Sequence, residues 1–143
     1  MVRSFQETDL DQVLKIWLDT NQQAHGFIPA SYWKEHLAAV QELLPQAEVY
    51  VWEGAEKEIQ GFVGLQGDQI EGIFVQNSSQ SAGIGKKLID YIKNTKNQLS
   101  LHVYQKNTRA VGFYQREHFC IQYENVDGQT GEKEYVMVWN RQR

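Results

Sequence analysis

The sequence predicts a mixed α/β (α+β) fold: a central sheet of about seven strands flanked by about four helices. Three observations predict it. Alternating and helix-periodic apolar segments succeed one another in the order β-α-α-β-β-β-α-β-α-β-β. The three central strands are joined by short polar turns, which makes them antiparallel, while the strand–helix–strand passage after them implies a parallel neighbour. Residues 69–95 hold that passage's apolar strand, a polar turn and a helix opened by two glycines.

The elements follow in order. Residues 2–5 form a short strand. Thr8 is an N-cap candidate, with Asp9 and Asp11 in the first turn where the helix dipole favours acids. Leu10, Val13, Leu14 and Trp17 keep helical spacing, and the helix is expected to loosen near Thr20 and Asn21. Residues 22–28 read as a loop carrying His25 and Phe27. Pro29 suits the first turn of a second helix, whose face is Trp33, Leu37, Val40 and Leu44 and whose end is Pro45. Strands follow at 47–52 and 59–65, the second weakened by Gly61 and Gly64.

Ile70, Ile73, Phe74 and Val75 make the organising strand; Asn77, Ser78 and Ser79 make the turn. Ile84, Leu88 and Ile92, with Ile89 and Tyr91 beside them, form the next helix face. A strand at 99–103 precedes a short helix capped by Asn107 or Thr108 and running to about Arg116. Strands at 119–123 and 135–139 close the sheet around a polar hairpin loop.

The chain of 143 residues fits one domain, spanning 1–143, and can bury a core without disulfides or metal. Apolar residues at 41% and charged residues at 22% describe a soluble globular chain. No apolar run long enough to cross a membrane exists, and the first residues lack a signal-peptide core. The single cysteine, Cys120, lies between Phe119 and Ile121 and is expected to be a buried, inert thiol. A net charge of −4 argues against nucleic acid as partner and agrees with a cationic substrate. His36 and His102 read as structural, and no spacing of histidines with Cys or carboxylates suits a metal.

Gly83 and Gly85 at the start of a helix are the odd feature. Each glycine costs roughly 0.5–1 kcal/mol relative to alanine inside a helix. Helix N-termini present free N–H groups and a partial positive charge, so an anion such as a phosphate is the expected visitor, with Lys86 and Lys87 nearby. A P-loop does not fit, because Lys86 is followed by Lys87 and the first required glycine falls on Gln80. A dinucleotide fingerprint does not fit either, for want of a third glycine.

Gln80-x-x-Gly83-x-Gly85 after a strand bearing a carboxylate resembles the acetyl-CoA signature Q/R-x-x-G-x-G/A of the GNAT N-acetyltransferase superfamily. Asn107-x-x-Ala110-x-x-Phe113-Tyr114-x-x-x-x-Phe119 resembles that family's N-x-x-A-x-x-F-Y-x-x-x-G-F motif, with His118 in place of the glycine. Histidine tolerates the left-handed turn that such a glycine would permit. The element order is that of the GNAT fold as well.

The resemblance implies acetyl-CoA as cosubstrate, with its pyrophosphate on Gln80, Ser81, Gly83, Ile84, Gly85 and Lys86. The pantetheine arm would run along Ile73, Phe74 and Val75, with Asn107 and Phe113 beside it. Asn107 is also a helix cap, and the two roles are compatible. A backbone N–H near Phe74 or Val75 would meet the oxyanion.

Acetyl transfer needs a neutral amine, yet an alkylamine of pKa about 10.4 is only about one part in 10³ neutral at pH 7. Glu71 is the candidate base; strict alternation puts it on one face with Ile73 and Val75, opposite Ile70, Gly72 and Phe74, which would partly desolvate it. Solvent exposure is the alternative for this residue. Tyr114 is the candidate acid for the leaving thiolate. His25, Phe27 and Tyr32 would contact the acceptor, with a plain surface histidine as the alternative for His25.

The expected activity is direct acetylation of a primary amine on a peptide, a protein or a small molecule, by a small cytoplasmic bacterial enzyme, monomer or homodimer. A coenzyme-binding sensor without catalysis and a transferase for longer acyl groups are the rival readings.

Overall fold

The computed structural model describes residues 1–80 and 82–141. Strands β1 (Val2–Ser4), β2 (Glu48–Glu53), β3 (Ile59–Gln66), β4 (Gln69–Val75), β5 (Gln98–Tyr104), β6 (Cys120–Val126) and β7 (Lys133–Asn140) alternate with helices α1 (Leu10–Ala24), α2 (Ala30–Leu43), α3 (Ile84–Lys93) and α4 (Thr108–Arg116). The strands form a seven-stranded sheet in the order β1-β2-β3-β4-β5-β7-β6. The β4–β5 pair is parallel, as the helical crossover between them requires, and the remaining pairs are antiparallel.

The sheet separates two cores. On one face Leu88, Ile89 and Ile92 of α3 are fully buried with Leu65, Leu99, Leu101 and Met137. Each such side chain contributes about 1.5–3 kcal/mol, enough to offset the glycines at the helix start. On the other face Val13 and Ile16 of α1 pack with Val49, Val51 and Phe62. The alternation of β2 is as expected: Val49 and Val51 face α1, whereas Tyr50 and Trp52 lean on the α3 side.

Five expectations need correction. Thr8 caps nothing; the chain enters α1 through a 3-10 turn, Glu7–Asp9, in which the Asp9 carboxylate accepts the Gln6 N–H at 2.9 Å. The first helix does not loosen near Thr20 but runs to Ala24, because the Thr20 hydroxyl and Asn21 amide bond back to the carbonyls of Ile16 and Trp17 at 2.6 and 2.8 Å. Pro29 precedes the second helix, with ψ 138°, instead of lying in its first turn. Cys120 is exposed, since β6 is an edge strand paired only with β7 and exposed along its length. Ile70 lies with Ile73 and Val75, not opposite them. The cause is a bulge: Gly64 pairs with Gly72 and Leu65 with Ile70, so Glu71 is an extra residue that resets the alternation.

Asp9 also ties the first strand to the first helix. Arg3 donates to its two oxygens at 2.8 and 3.0 Å, and Asp9 is 4% exposed. The Arg3 guanidinium, helped by the Gln6 N–H, holds the Asp9 carboxyl below its ordinary value despite burial. A depressed carboxyl stabilises the fold above its unfolded pKa, and that contribution fades as pH falls through the folded value. Asp9→Ala is therefore expected to cost about 3 kcal/mol at pH 7 in urea unfolding. The gap between variant and parent should narrow as pH is taken below about 3.9.

Candidate active site

β4 pairs with β5 only at Gln69↔Ser100 and Ile70↔Leu101. The bulge at Glu71 follows at once, and beyond it the two strands part. Their separation opens a cleft of about 770 Å³ whose walls are β4, the start of α3, the end of α1 and helix α4.

The β4 wall is made by Ile73, Phe74 and Val75. The Phe74 ring turns away and stacks on Phe62, 4.8 Å between centroids, so Phe74 offers the cleft its backbone. The chain then turns through Asn77–Ser79 to Gln80, whose amide donates to the Val75 carbonyl at 3.1 Å and accepts from Arg109 at 2.7 Å. Gln80 thus links the two sides of the cleft mouth. Ser81 lies outside the described residues.

Gly83 is the N-cap of α3, not part of its first turn, and its φ of 79° is left-handed, a conformation costing a side chain about 1–2 kcal/mol. Gly85 has a different reason: a Cβ there would stand 3.2 Å from the Phe113 ring. Each glycine thus has an intramolecular cause. What the turn leaves open is the first N–H groups of α3, which have no intrahelical partner and meet no side-chain cap among the described residues. Ile84 and Gly85 line the cleft there.

Helix α4 supplies the far wall. Asn107 caps it, its Oδ1 accepting the Ala110 N–H at 3.3 Å. Phe113 lines the cleft, and Tyr114 beside it is 7% exposed, with no hydrogen-bond partner for its hydroxyl among the described residues. Burial pushes the Tyr114 phenol above its ordinary value, so it keeps its proton and has one to donate. His118 takes the left-handed turn after α4, with φ 73°.

The sequence reading names Lys86 but misses three further basic residues of the cleft, Lys106, Arg109 and Arg116. Lys86, Lys106, Arg109 and Arg116 line the cleft against one carboxylate, Glu117. Arg109, Phe113 and Arg116 follow i, i+4, i+7 on α4, a helical-face signal present in the sequence. Lys86 is tethered by Glu117 at 3.2 Å and Asp90 at 3.5 Å. The prolonged α1 also brings Thr20 and Asn21 to the cleft.

Glu71 is exposed and does not line the cleft, so the expected desolvation is absent. It stands on the bulge where the strands separate. His25 does line the cleft, whereas Phe27 and Tyr32 stand behind it. Phe27 meets the His25 ring edge-on at 5.6 Å, and the Tyr32 hydroxyl donates to Gln129 on the β6–β7 loop at 2.8 Å. No group of three His, Cys, Asp or Glu side chains among the described residues is placed to hold a metal ion.

Residues 45–121 match the family model described as an acetyltransferase (GNAT) domain. The chain belongs to the GNAT acetyltransferase family. It is similar to the peptidyl-lysine N-acetyltransferase YiaC of Escherichia coli K12, with 33% identity over 141 residues, 97% of this chain and 96% of that protein. It is also 28% identical to the peptidyl-lysine N-acetyltransferase YjaB of Salmonella typhimurium over 84% of this chain and 83% of that protein. Among solved structures, apo YjaB from Escherichia coli superimposes with a TM-score of 0.87 at 22% identity, covering 99% of this chain and 98% of the other. The PaiA N-acetyltransferase of Thermoplasma acidophilum, solved with coenzyme A, gives 0.82 at 15% identity, covering 98% of each chain. This acetyltransferase therefore shares the GNAT fold end to end.

Burial lowers the His25 imidazole from 6.5 to about 4. A histidine whose folded pKa lies below its unfolded one stabilises the fold above the unfolded value, and this contribution is lost as pH falls through the window. NMR titration of this acetyltransferase is expected to show His25 neutral throughout pH 5–8. Its titration near pH 4 should accompany a decline in stability over that same fall in pH.

Proposed function

We propose that this acetyltransferase moves the acetyl group of acetyl-CoA directly onto the primary amine of a peptidyl lysine, with Glu71 as base and Tyr114 as acid. The observation that carries the reading is the parting of β4 from β5 beside the open α3 N-terminus, with Tyr114 on the opposite wall. The coenzyme fits this cleft chemically. Unpaired β4 backbone can bond the amides of a pantetheine arm, and the α3 N–H groups with Arg109 and Arg116 suit phosphates. When bound, the coenzyme supplies an activated thioester.

This chain's residues do the rest. Gln80, Ile84, Gly85 and Lys86 hold the diphosphate end, beside the Gly83 turn. Ile73, Phe74 and Val75 align the arm, and a β4 N–H meets the carbonyl oxygen as it gains charge. Asn107 and Phe113 fix the arm's far side. The amine attacks the thioester carbonyl, the carbon–nitrogen bond forms, and the carbon–sulfur bond breaks. Tyr114 donates its phenolic proton to the departing sulfur. The amine's proton passes through water to Glu71, whose exposure suits a relay to solvent.

His25 borders the acceptor's approach, with Phe27 and Tyr32 behind it. A lysine acceptor is supported by the names of the two curated relatives. A bacterial setting follows the organisms of those relatives, and a cytoplasmic one is part of the same proposal.

Release of free coenzyme A over a panel of lysine peptides and small amines is the test. Tyr114→Phe is expected to lower kcat by about 10²-fold with little change in the acetyl-CoA KM. Glu71→Gln is expected to lower kcat/KM by about tenfold at pH 7, an effect that shrinks toward pH 10 as the amine becomes neutral unaided. Acetyl-CoA binding without release from any amine would sink the transfer reading.

A further inference from the structure

The loop after α1 and the start of α4 are joined inside the cleft by one side-chain contact. His25 Nε2 lies 3.3 Å from the Asn107 side-chain nitrogen. The chemistry of this pair is fixed from the Asn107 end. Asn107 Oδ1 accepts the Ala110 N–H, so the group turned to His25 is the amide NH2, a donor. His25 Nε2 must then be the acceptor, and the ring proton sits on Nδ1. That Nδ1 is buried without a partner among the described residues.

Nδ1 falls short of a well-formed hydrogen bond, although the Asn21 backbone nearby favours a proton on the ring, so packing contributes to holding the orientation. Three aromatic rings supply that packing. Trp33 stacks on the imidazole at 5.2 Å and 29°, while Phe27 and Tyr104 meet it edge-on at 5.6 and 5.1 Å. The backbone locks both partners as well: His25 N–H bonds the Asn21 carbonyl at 3.0 Å, and Asn107 N–H bonds the Tyr104 carbonyl at 3.0 Å.

We propose that His25 is a positioning residue: its Nε2 accepts from the Asn107 amide, fixing the N-cap of α4 and the helix that carries Tyr114. The proposal rests on the acetyl-transfer reading above. One amide hydrogen of Asn107 is spent on His25 and its oxygen on the cap, so the second hydrogen is left for the cleft that Asn107 lines. A carbonyl of the pantetheine arm is the group it would meet. Without His25 the amide is free to rotate about its last torsion, and that donor is no longer presented.

The test compares His25→Phe, which fills the aromatic box but accepts nothing, with His25→Gln, whose amide oxygen can accept. In the full-length protein, His25→Phe is expected to raise the acetyl-CoA KM about tenfold and to lower kcat less, with an unchanged thermal midpoint, and His25→Gln to recover most of the loss. Nitrogen NMR of the parent should show His25 protonated on Nδ1. An Nε2-protonated ring overturns the proposal. So does a Phe variant with parental kinetics, or a Gln variant as impaired as Phe. If His25→Phe fails to fold, the tautomer in the parent decides. A parent that binds no acetyl-CoA would refute the transfer reading instead, while the tautomer would still judge the His25–Asn107 pair.

Discussion

A single extra residue in β4 shapes this protein. Two strands that run parallel for a full length leave no room between them. Here the register with β3 slips at Glu71, and pairing with β5 stops at Ile70. A bulge bends its strand and increases local twist, so β4 leaves β5 at an angle. The gap cannot be filled by the core, because Phe74 is drawn to the other face by Phe62 and Ile70 is pulled down among Leu99 and Leu101. What remains is a cleft with backbone on one side and α4 on the other, inside an otherwise closely packed sheet.

The regular parts of this arrangement could be read from the sequence. The spacing of Ile84, Leu88 and Ile92 marks α3, and these residues are buried as a helix face would be. The alternation of Val49, Tyr50, Val51 and Trp52 marks a two-sided strand. Asn107 signals a cap and is one, and His118 takes the turn that its place in the motif required. The failures share a cause. Counting in twos assigns faces to Glu71 and Ile70, and one inserted residue reverses that count with no mark in composition. Cys120 has apolar neighbours in sequence, but its strand is the sheet's outer edge, and only the strand order shows that. Thr20 and Asn21 look like helix breakers, yet their side chains bond to the preceding turn and let α1 continue into the site.

The two glycines of the motif each have a reason within the chain itself. Gly83 is needed for its left-handed φ, and Gly85 for the closeness of Phe113. Neither fact concerns a ligand directly. Together they let α3 start abruptly beside β4 and pack against α4, so its first N–H groups end in the cleft instead of under a side-chain cap. The proposed anion site would thus be a consequence of how tightly three elements converge.

Charge completes the argument. The chain as a whole carries −4, which would repel a polyphosphate and attract an ammonium. Over the cleft the sign reverses, with four basic side chains facing Glu117 alone among the described lining residues. Screening confines each such field to about 8–10 Å at physiological salt, so the local cluster governs what enters the cleft and the remaining surface governs what collects around it. Two cosubstrates of opposite charge, as the proposed reaction requires, can therefore be drawn to one small molecule without competing for one place. Glu117 offsets part of this local charge by pairing with Lys86 at 3.2 Å.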